Sequence, residues 1–313
     1  MIVNNMKSYL EIEKIEYIGN KKESPSNIVS LKNLSFEYGK TTAIIGANGS
    51  GKSTLLNVIM GLRPDFTFKA NLAGQKYSDK LPPNRNRIGY ASQNINFPSG
   101  TRMKDIFCYY RWVYDYMEEN PSEELLNLVP EDLHNSSFDN LSSGQKQRVN
   151  LFLALNHSPD LALLDEPEKS LDDLRVRIIA KIIEARSSSL KTTIIATHNA
   201  KILSMAQNVV LMKNGKVYFQ GKLNDLIYEL LGEGVLEIII NSESEFELIM
   251  SKVKDVPGCK MKIRISDDRL LLFGDSSISH VFQRSNLQKI PFNWRKLTPK
   301  DLLLTIDGDI SPI

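Results

Sequence analysis

The sequence predicts an α/β fold in which a largely parallel sheet is covered by helices, followed by a small α+β domain. Three observations predict it. Apolar, strand-like runs alternate with helical patterns through 8–230, as they do in βαβ units. A glycine-rich segment at 46–54 joins one of these runs to a helix. A new pattern begins after Gly232 and Gly234. We therefore predict domains at 1–232 and 233–313.

The first domain opens with two segments, 8–18 and 29–38, in which apolar and polar residues alternate as in half-buried strands. The next run, 41–45, is apolar and predicts a buried strand. The later predicted strands are 66–78 (short and antiparallel), 88–92, 161–164, 192–196 and a hairpin at Asn214-Gly215. The predicted helices are 52–61, 103–128 with a break at 120–121, 143–156, 172–186, 199–206 and 222–231. The many aromatic residues of 103–128 favour a buried face over a partner-binding surface.

The second domain has its own order of elements. Its predicted strands are 235–241, 260–265, 269–273 and 290–296, its predicted helices are 244–254 and 278–287, and a last helix spans 298–305. The order β-α-β-β-α-β is the ferredoxin-like, split βαβ arrangement. Its role stays open between dimerisation, regulation and docking of a partner.

The composition of the 313 residues is that of an ordinary globular protein, with 42% hydrophobic and 24% charged residues. The net charge of +2 lacks the strongly basic balance of a dedicated nucleic-acid binder. Cys108 and Cys259 are far apart in sequence, so we expect no disulfide framework and a reducing compartment. No apolar run has the length of a membrane span. Work at a membrane would therefore need another chain as an anchor.

The segment Gly46-Ala-Asn-Gly-Ser-Gly-Lys-Ser-Thr54 has the form of a phosphate-binding loop. Its glycines let the backbone fold closely around phosphates, and the N–H groups at the following helix N-terminus attract the anion. Lys52 supplies a positive charge for the outer phosphates, and Ser53 offers a hydroxyl to Mg²⁺. These features predict a nucleoside triphosphate as the ligand.

Two further segments carry polar groups at the ends of predicted elements. The strand Leu161–Leu164 ends in Asp165 and Glu166. These carboxylates suit a metal ligand and a group that polarises water, although incidental acids at a strand exit are the alternative. Ser142 and the N–H groups near Gly144 begin a helix that could bind an anion. Taken alone, that segment is better explained by an ordinary helix N-cap.

In combination, these segments resemble the nucleotide-binding subunit of ATP-binding-cassette (ABC) transporters over residues 8–230. Leu141-Ser-Ser-Gly-Gln145 matches the signature motif of that family, and Gln93 matches its Q-loop. The D-loop and switch histidine correspond to Asp172 and His198. The resemblance implies a P-loop NTPase of the ABC ATPase type, with a mixed sheet core, an antiparallel β subdomain and an α-helical subdomain at about 97–157.

The resemblance implies an active ATPase that uses ATP and Mg²⁺. The implied catalytic residues are Glu166, His198 and Gln93, and the implied metal ligands are Ser53, Gln93 and Asp165. The implied ATP-binding residues are Tyr17, Gly46, Asn48, Gly49, Ser50, Gly51, Lys52, Ser53, Thr54, Ser142, Gly144 and Gln145. Tyr17 would stack on adenine, although a strand aromatic is the alternative. The chain departs from the family pattern at Ser143, Lys169 and Ser170.

The resemblance also implies partners. A second ATPase subunit, identical or paralogous, would share two ATP molecules with this chain, and an integral membrane permease subunit would dock on 97–140. The protein would then be cytoplasmic and peripheral on the cytoplasmic face of the membrane. The ending 295–308 loosely resembles the tail of export ATPases and favours an exporter. The alternatives are a soluble ABC ATPase that acts on nucleic acid or ribosomes and a regulatory ATP sensor; no nucleic acid is expected.

Overall fold

The structure is a computed structural model that describes residues 8–18, 29–78, 82, 84–114, 122–129, 133, 136–253, 258–284, 287 and 290–307. Its contacts divide the chain into two compact units, Met1–Gln220 and Gly221–Ile313. The segment 221–232, predicted as the end of the first domain, is grouped with the second unit. The domain boundary after 232 stays a prediction. None of the described helices is both long and apolar enough to span a lipid bilayer.

The elements of the first unit follow the predicted order. Its strands are β1 (Ser8–Tyr17), β2 (Leu31–Glu37), β3 (Thr41–Ile45), β4 (Phe66–Leu72), β5 (Gln75–Ser78), β6 (Ile88–Ala91), β7 (Leu161–Asp165), β8 (Thr192–Ala196), β9 (Asn208–Lys213) and β10 (Lys216–Lys222). Its helices are α1 (Lys52–Ile59), α2 (Met103–Tyr114), α3 (Glu123–Leu126), α4 (Ser143–Leu155), α5 (Asp173–Ser188) and α6 (Ala200–Leu203). The predicted break at 120–121 lies outside the described residues.

Two sheets form the first unit. One has the order β2-β1-β4-β5, and its strand pairs are antiparallel. The other has the order β10-β9-β3-β8-β7-β6, in which β3 and β6 to β9 run parallel. Both sheets and α1 contribute to one core, represented by the buried side chains of Leu10, Ile44 and Leu56. Strands β3, β7 and β8 are buried at every position, and all their residues except Asp165 at the end of β7 are apolar or β-branched.

Helix α4 packs closely on β6. A Cβ atom on Gly89 would overlap the backbone carbonyl of Ala154, so only glycine fits at this point of β6. Farther along the helix, Asn150 Nδ2 donates to the carbonyl of Ser92 at 2.6 Å. The strand that leads to Gln93 is therefore held directly against the helix that begins after Ser142.

The aromatic residues of α2 do not all face a core, contrary to the prediction. Phe107 packs edge-on against Phe152 at 5.6 Å, and Tyr114 stacks on His157 at 4.0 Å. Tyr109 and Trp112, however, are 59% and 78% exposed. The two exposed rings lie on the face of α2 that points away from α4, because a helix of 3.6 residues per turn cannot bury rings at nearly every position against one neighbour.

The second unit is a four-stranded antiparallel sheet with helices. Its elements are α7 (Leu223–Leu231), β11 (Gly234–Ile239), α8 (Glu243–Val253), β12 (Cys259–Ser266), β13 (Arg269–Gly274), α9 (Ser277–Arg284), β14 (Phe292–Lys296) and α10 (Pro299–Asp307). The sheet order is β12-β13-β11-β14, which confirms the ferredoxin-like arrangement. Its core includes Leu236, Ile249 and Phe282. Lys260 Nζ donates to the carbonyls of Tyr228 and Glu229, at the end of α7.

The last helix begins with a network of polar side chains. Asp301 is almost completely buried, and both of its carboxylate oxygens accept hydrogen bonds from Arg295 at 2.8 Å. Asp301 also accepts from the backbone N–H and the hydroxyl of Thr298, the residue just before α10. Burial alone would raise the pKa of Asp301, but these hydrogen bonds outweigh it and lower the pKa. The network attaches α10 to strand β14.

Candidate nucleotide-binding site

The candidate site lies along the carboxyl edge of the parallel sheet. Strands β3, β6, β7 and β8 are parallel, so the residues that follow them meet at one edge. The phosphate loop follows β3, Gln93 follows β6, and His198 follows β8. Asp165 is the last residue of β7, with Glu166 directly after it. Topology therefore gathers four segments that are far apart in sequence.

The phosphate loop connects β3 directly to α1. Gly46 has a φ of 152°, and a Cβ on it would overlap the carbonyl oxygen of Met212 in β9. The loop is also held by the turn that follows β9, where the N–H of Gly215 donates to the carbonyl of Ser50 at 3.0 Å. All the predicted loop residues, 46–54, thus lie in one turn and the first turn of the following helix. The N–H groups of that helix N-terminus make a site for an anion.

Lys52 closes one side of the loop. Its side chain is buried, and Nζ donates to the carbonyl of Gly46 at 2.8 Å and to that of Ala47 at 3.2 Å. The ammonium group is thereby held at the loop that would surround a phosphate chain. A mobile side chain with three N–H donors can exchange carbonyl oxygens for phosphate oxygens.

Ser53 and Asp165 form a hydroxyl–carboxylate pair. Ser53 Oγ donates to Asp165 Oδ1 at 3.0 Å. Burial raises the pKa of Asp165, and the neighbouring Glu166 raises it further, while the hydrogen bond from Ser53 opposes the shift. These two oxygen donors fit Mg²⁺, which binds few protein ligands together with phosphate oxygens. Within the described part of the chain, no cluster of three or more His, Cys, Asp or Glu residues could hold a metal.

Glu166 has a strained backbone and a well-anchored side chain. Its φ of 48° is in the left-handed region, which a residue with a Cβ adopts at a cost of about 1 kcal/mol. The N–H of Glu166 donates to the carbonyl of Ala196 at 2.9 Å, and its carbonyl accepts from Gln147 Nε2 at 3.3 Å. Its carboxylate accepts from Gln93 Nε2 at 2.7 Å. The structure therefore brings the predicted pair Gln93 and Glu166 into direct contact.

His198 is positioned by a residue that the sequence analysis missed. Glu168 Oε1 accepts from the backbone N–H of His198 at 3.0 Å and from Thr197 Oγ1 at 2.6 Å. The one signal in the sequence was a second acid two residues after Glu166. An acid at this position does not indicate which loop its side chain contacts.

The predicted signature residues lie around a different cleft. Ser142 and Gln145 form a capping box: Gln145 N–H donates to Ser142 Oγ, and Ser142 N–H donates to Gln145 Oε1 at 2.8 Å. The open cleft has a volume of about 480 Å³. Its lining is Ser142, Gly144, Gln145, Arg148, Ser170, Leu171, Asp172 and Arg175, and no phosphate-loop residue lines it.

Two glycine-related features shape this cleft. A Cβ on Gly144 would lie 2.7 Å from the carbonyl oxygen of Ser170, so the D-loop backbone requires glycine there. Ser170 itself has a φ of 62°, in the left-handed region. The departure at Ser170 thus falls on a backbone conformation that glycine adopts without strain. The other two departures, Ser143 in the first turn of α4 and Lys169, are both exposed.

Tyr17 is the last residue of β1 and is partly buried. Its ring packs edge-on against Phe66 at 5.2 Å, which is the contact expected of a strand aromatic. Its stacking on adenine stays a prediction.

Comparison with known proteins assigns the family. Residues 30–169 match a family model described as ABC transporter. The tungstate uptake system ATP-binding protein TupC of Peptoclostridium acidaminophilum is 32% identical over 201 residues, which are 61% of this chain and 90% of that protein. The chain belongs to the ABC transporter ATP-binding family. As a member, it is an ATPase that binds ATP.

Two further comparisons extend along the chain. The uncharacterized ABC transporter ATP-binding protein MJ1023 of Methanocaldococcus jannaschii is 28% identical over 284 residues, 85% of this chain and 99% of that protein. A solved dimer of the ATP-binding cassette MJ0796, bound to ADP and Pi, is 24% identical. It covers 68% of this chain and 98% of its own, with a TM-score of 0.57. The ABC ATPase fold predicted from the sequence is confirmed.

Proposed function

We propose that this protein is the ATP-hydrolysing subunit of an ABC transporter, which works as a pair of subunits and drives a membrane-spanning partner from the cytoplasmic face of the membrane. One observation carries the proposal. The hydrogen bonds Ser53–Asp165 and Gln93–Glu166 lie at one sheet edge, while Ser142 and Gly144 line a separate open cleft. Each chain thus offers two parts of a nucleotide site that do not meet within it.

At the sheet edge, the residues divide the work of hydrolysis. The loop N–H groups and Lys52 would hold the phosphates, and Ser53, Asp165 and the amide oxygen of Gln93 would hold Mg²⁺. Bound Mg²⁺ supplies charge neutralisation on the outer phosphates. The Glu166 carboxylate would accept a proton from a water molecule while the oxygen of that water attacks the γ-phosphorus. His198 would contact the γ-phosphate. The bond from the γ-phosphorus to the bridging oxygen breaks, leaving ADP and phosphate.

The open cleft suits a nucleotide held by a second chain. The N-terminus of α4 presents N–H groups beside Ser142 and Gly144, and a helix N-terminus attracts a phosphate. The rigid contact of Gly144 with Ser170 keeps the D-loop next to this helix end. ATP would therefore be bound between the phosphate loop of one subunit and the cleft of the other.

A groove beside α2 suits the membrane partner. It has a volume of about 760 Å³ and lies between α1, β6, α2 and α4. Its lining mixes apolar and polar side chains, among them Ile95, Tyr110, Val113, Asn150 and Arg85. An amphipathic helix could place its apolar face there. The residues that the sequence analysis assigned to partner docking, 97–140, contribute part of this lining.

The direction of transport is a separate proposal. The tail resemblance favours export, whereas TupC is named for tungstate uptake. Transport assays in vesicles that contain the chain and its permease would distinguish the two directions, because ATP supplied on the outside of inverted vesicles drives export substrates into the lumen.

The proposed function is tested with the Glu166→Gln variant. We expect it to bind ATP with unchanged affinity, to lose about 100- to 1000-fold in turnover, and to sediment as a dimer with ATP. The wild-type chain should co-purify with membranes that contain its permease. Solitary molecules in the presence of ATP, or recovery only with ribosomes or DNA, would contradict the proposal.

A further inference from the structure

Glu168 is a partly buried acid that the hydrolytic scheme does not use. It lies in the loop between Glu166 and Asp172, two residues beyond the proposed water-activating group. The carbonyl of Glu168 accepts from the N–H of Leu171 at 3.1 Å, so the residue belongs to a tight turn. Its side chain points away from that turn, towards the loop between β8 and α6.

One carboxylate oxygen of Glu168 accepts two hydrogen bonds from that neighbouring loop. The donors are the hydroxyl of Thr197, at 2.6 Å, and the backbone N–H of His198, at 3.0 Å. The other oxygen, Oε2, is buried and makes no hydrogen bond within the described part of the chain. Removing a carboxylate oxygen from water without giving it a hydrogen bond costs folding free energy. We therefore ask what the two hydrogen bonds to the other oxygen contribute.

The contact continues into the next helix. Thr197 Oγ1 accepts from the N–H of Asn199 at 3.0 Å, and Asn199 Oδ1 accepts from the N–H groups of Lys201 and Ile202, capping α6. The backbone of His198 is therefore fixed on one side by Glu168 and on the other by a capped helix. The hydrogen bonds from Glu168 to the cap of α6 thus form one continuous chain through Thr197.

We propose that Glu168 is a positioning residue, which ties the loop that carries Glu166 to the loop that carries His198. This inference rests on the proposed roles of those two residues in hydrolysis. The tie keeps the water-activating carboxylate and the γ-phosphate-binding imidazole in a fixed relation, although Glu168 itself contacts no reacting atom. Burial raises the pKa of the Glu168 carboxyl, and the nearby Glu166 raises it too, whereas the two donors oppose the shift.

The test compares variants of the full chain in steady-state ATP hydrolysis. We expect Glu168→Ala to lower kcat by about 10- to 100-fold while KM for ATP changes less than about twofold, because misplaced catalytic groups impair the reaction more than binding. Glu168→Gln keeps an oxygen acceptor, so we expect it to retain about half of the wild-type kcat or more. Glu184→Ala, an exposed acid on α5, is the matched control and should have wild-type kcat.

Thr197→Val removes the hydroxyl from the opposite side of the contact. We expect it to lower kcat by about 3- to 10-fold, and the double variant Glu168→Ala/Thr197→Val to be no slower than Glu168→Ala alone, because both changes break one interaction. If Glu168→Ala does not fold, Thr197→Val and Glu168→Gln decide the question. Wild-type kcat in Thr197→Val, or a Glu168→Gln variant that loses 10-fold or more, would overturn the inference.

Failure of this inference is distinguishable from failure of the proposed function. If wild-type protein hydrolyses ATP and Glu166→Gln does not, the proposed function stands whatever the Glu168 variants show. If Glu166→Gln turns over at the wild-type rate, the proposed hydrolytic roles are lost first.

Discussion

The phosphate-loop edge and the signature cleft differ in how their polar groups are satisfied. At the edge, partners come from distant segments: Ser53 binds Asp165, and Gln93 binds Glu166. In the cleft, partners are three residues apart: Ser142 binds Gln145, and Asp172 binds Arg175. The first pattern joins segments that follow different strands of the sheet, and the second only caps helices.

This difference shows what sets the geometry of the edge and what sets the geometry of the cleft. The edge is organised by tertiary structure within one chain, so its geometry exists before a partner arrives. The cleft is organised locally, and its exposed helix N-terminus has donors to offer outward. We therefore expect loss of a phosphate-binding residue at the edge, such as Lys52, to alter the ATP affinity of the single chain. Changes at the cleft should leave that affinity unchanged and alter turnover by the pair.

The largest expected effect on ATP affinity is that of Lys52→Ala. Loss of charge-assisted hydrogen bonds should weaken ATP binding by about 100-fold, or about 2.7 kcal/mol. Calorimetric titration of the variant with ATP measures this. Lys40→Ala, an exposed lysine just before β3, is the control and should bind as wild type. Equal ATP affinities in Lys52→Ala and wild type would contradict the conclusion that the edge determines the ATP affinity of the single chain.

The next effect is a pH dependence at the far end of α4. Burial lowers the pKa of His157 to about 4, while its hydrogen bond with the carbonyl of Ile88 opposes the shift. The unfolded chain takes up a proton near pH 6.5, before the folded chain does, so stability falls as pH falls. Between pH 7 and 5 the loss should be about 2 kcal/mol.

Denaturant unfolding of His157→Asn at both pH values measures this contribution. The variant should lose less stability between pH 7 and 5 than the wild type does. His280→Asn, exposed on α9, serves as the comparison and should keep the wild-type pH dependence. An unchanged slope in His157→Asn would show that other groups cause the acid sensitivity.

A smaller effect is expected from Ser142→Ala at the cleft. Loss of the N-cap should cost about 1 kcal/mol of stability, and loss of the hydroxyl beside a partner's phosphate should lower turnover by about tenfold. The ATP affinity of the single chain should not change. Ser122→Ala removes the N-cap of α3 and is the matched control, with turnover preserved. Weaker ATP binding by single Ser142→Ala chains would contradict the division between edge and cleft.

The smallest effect is that of Ser170→Gly. Relief of the left-handed conformation should stabilise the chain by about 1 kcal/mol, with turnover little changed. Thermal unfolding measures the gain. Ser189→Gly, at a φ of −89°, should show no gain and serves as the control. A loss of stability in Ser170→Gly would show that the serine side chain is needed in the D-loop.

Much of the edge was predictable because its residues follow strands. Once β3, β7 and β8 are recognised as parallel and buried, their carboxyl ends must meet, and Ser53, Asp165 and His198 come together. The contact of Glu168 with Thr197 was not predictable, since it joins two loops whose paths depend on packing. The exposure of Trp112 was also missed, because a helical spacing of aromatics does not specify which face is covered.

The second unit shows the same limit. Periodicity predicted the β-α-β-β-α-β order, and the register of four antiparallel strands confirms it. Helix α7 is grouped with this unit, and Lys260 reaches the carbonyls at the end of α7 from β12. A long side chain that caps a helix far along the sequence leaves no periodic signal.

The close fit of Gly89 against Ala154 has a mechanical consequence. Where a strand and a helix touch backbone to backbone, neither can slide without the other, so we expect the two to move together as one rigid piece. Gln93 and Ser142 both lie in the same direction from this contact, because Ala154 lies against Gly89 while Asn150, nearer the helix start, lies against Ser92. We therefore expect any tilt imposed on the helix when two subunits close to be delivered to Gln93 as a displacement of the same rigid piece.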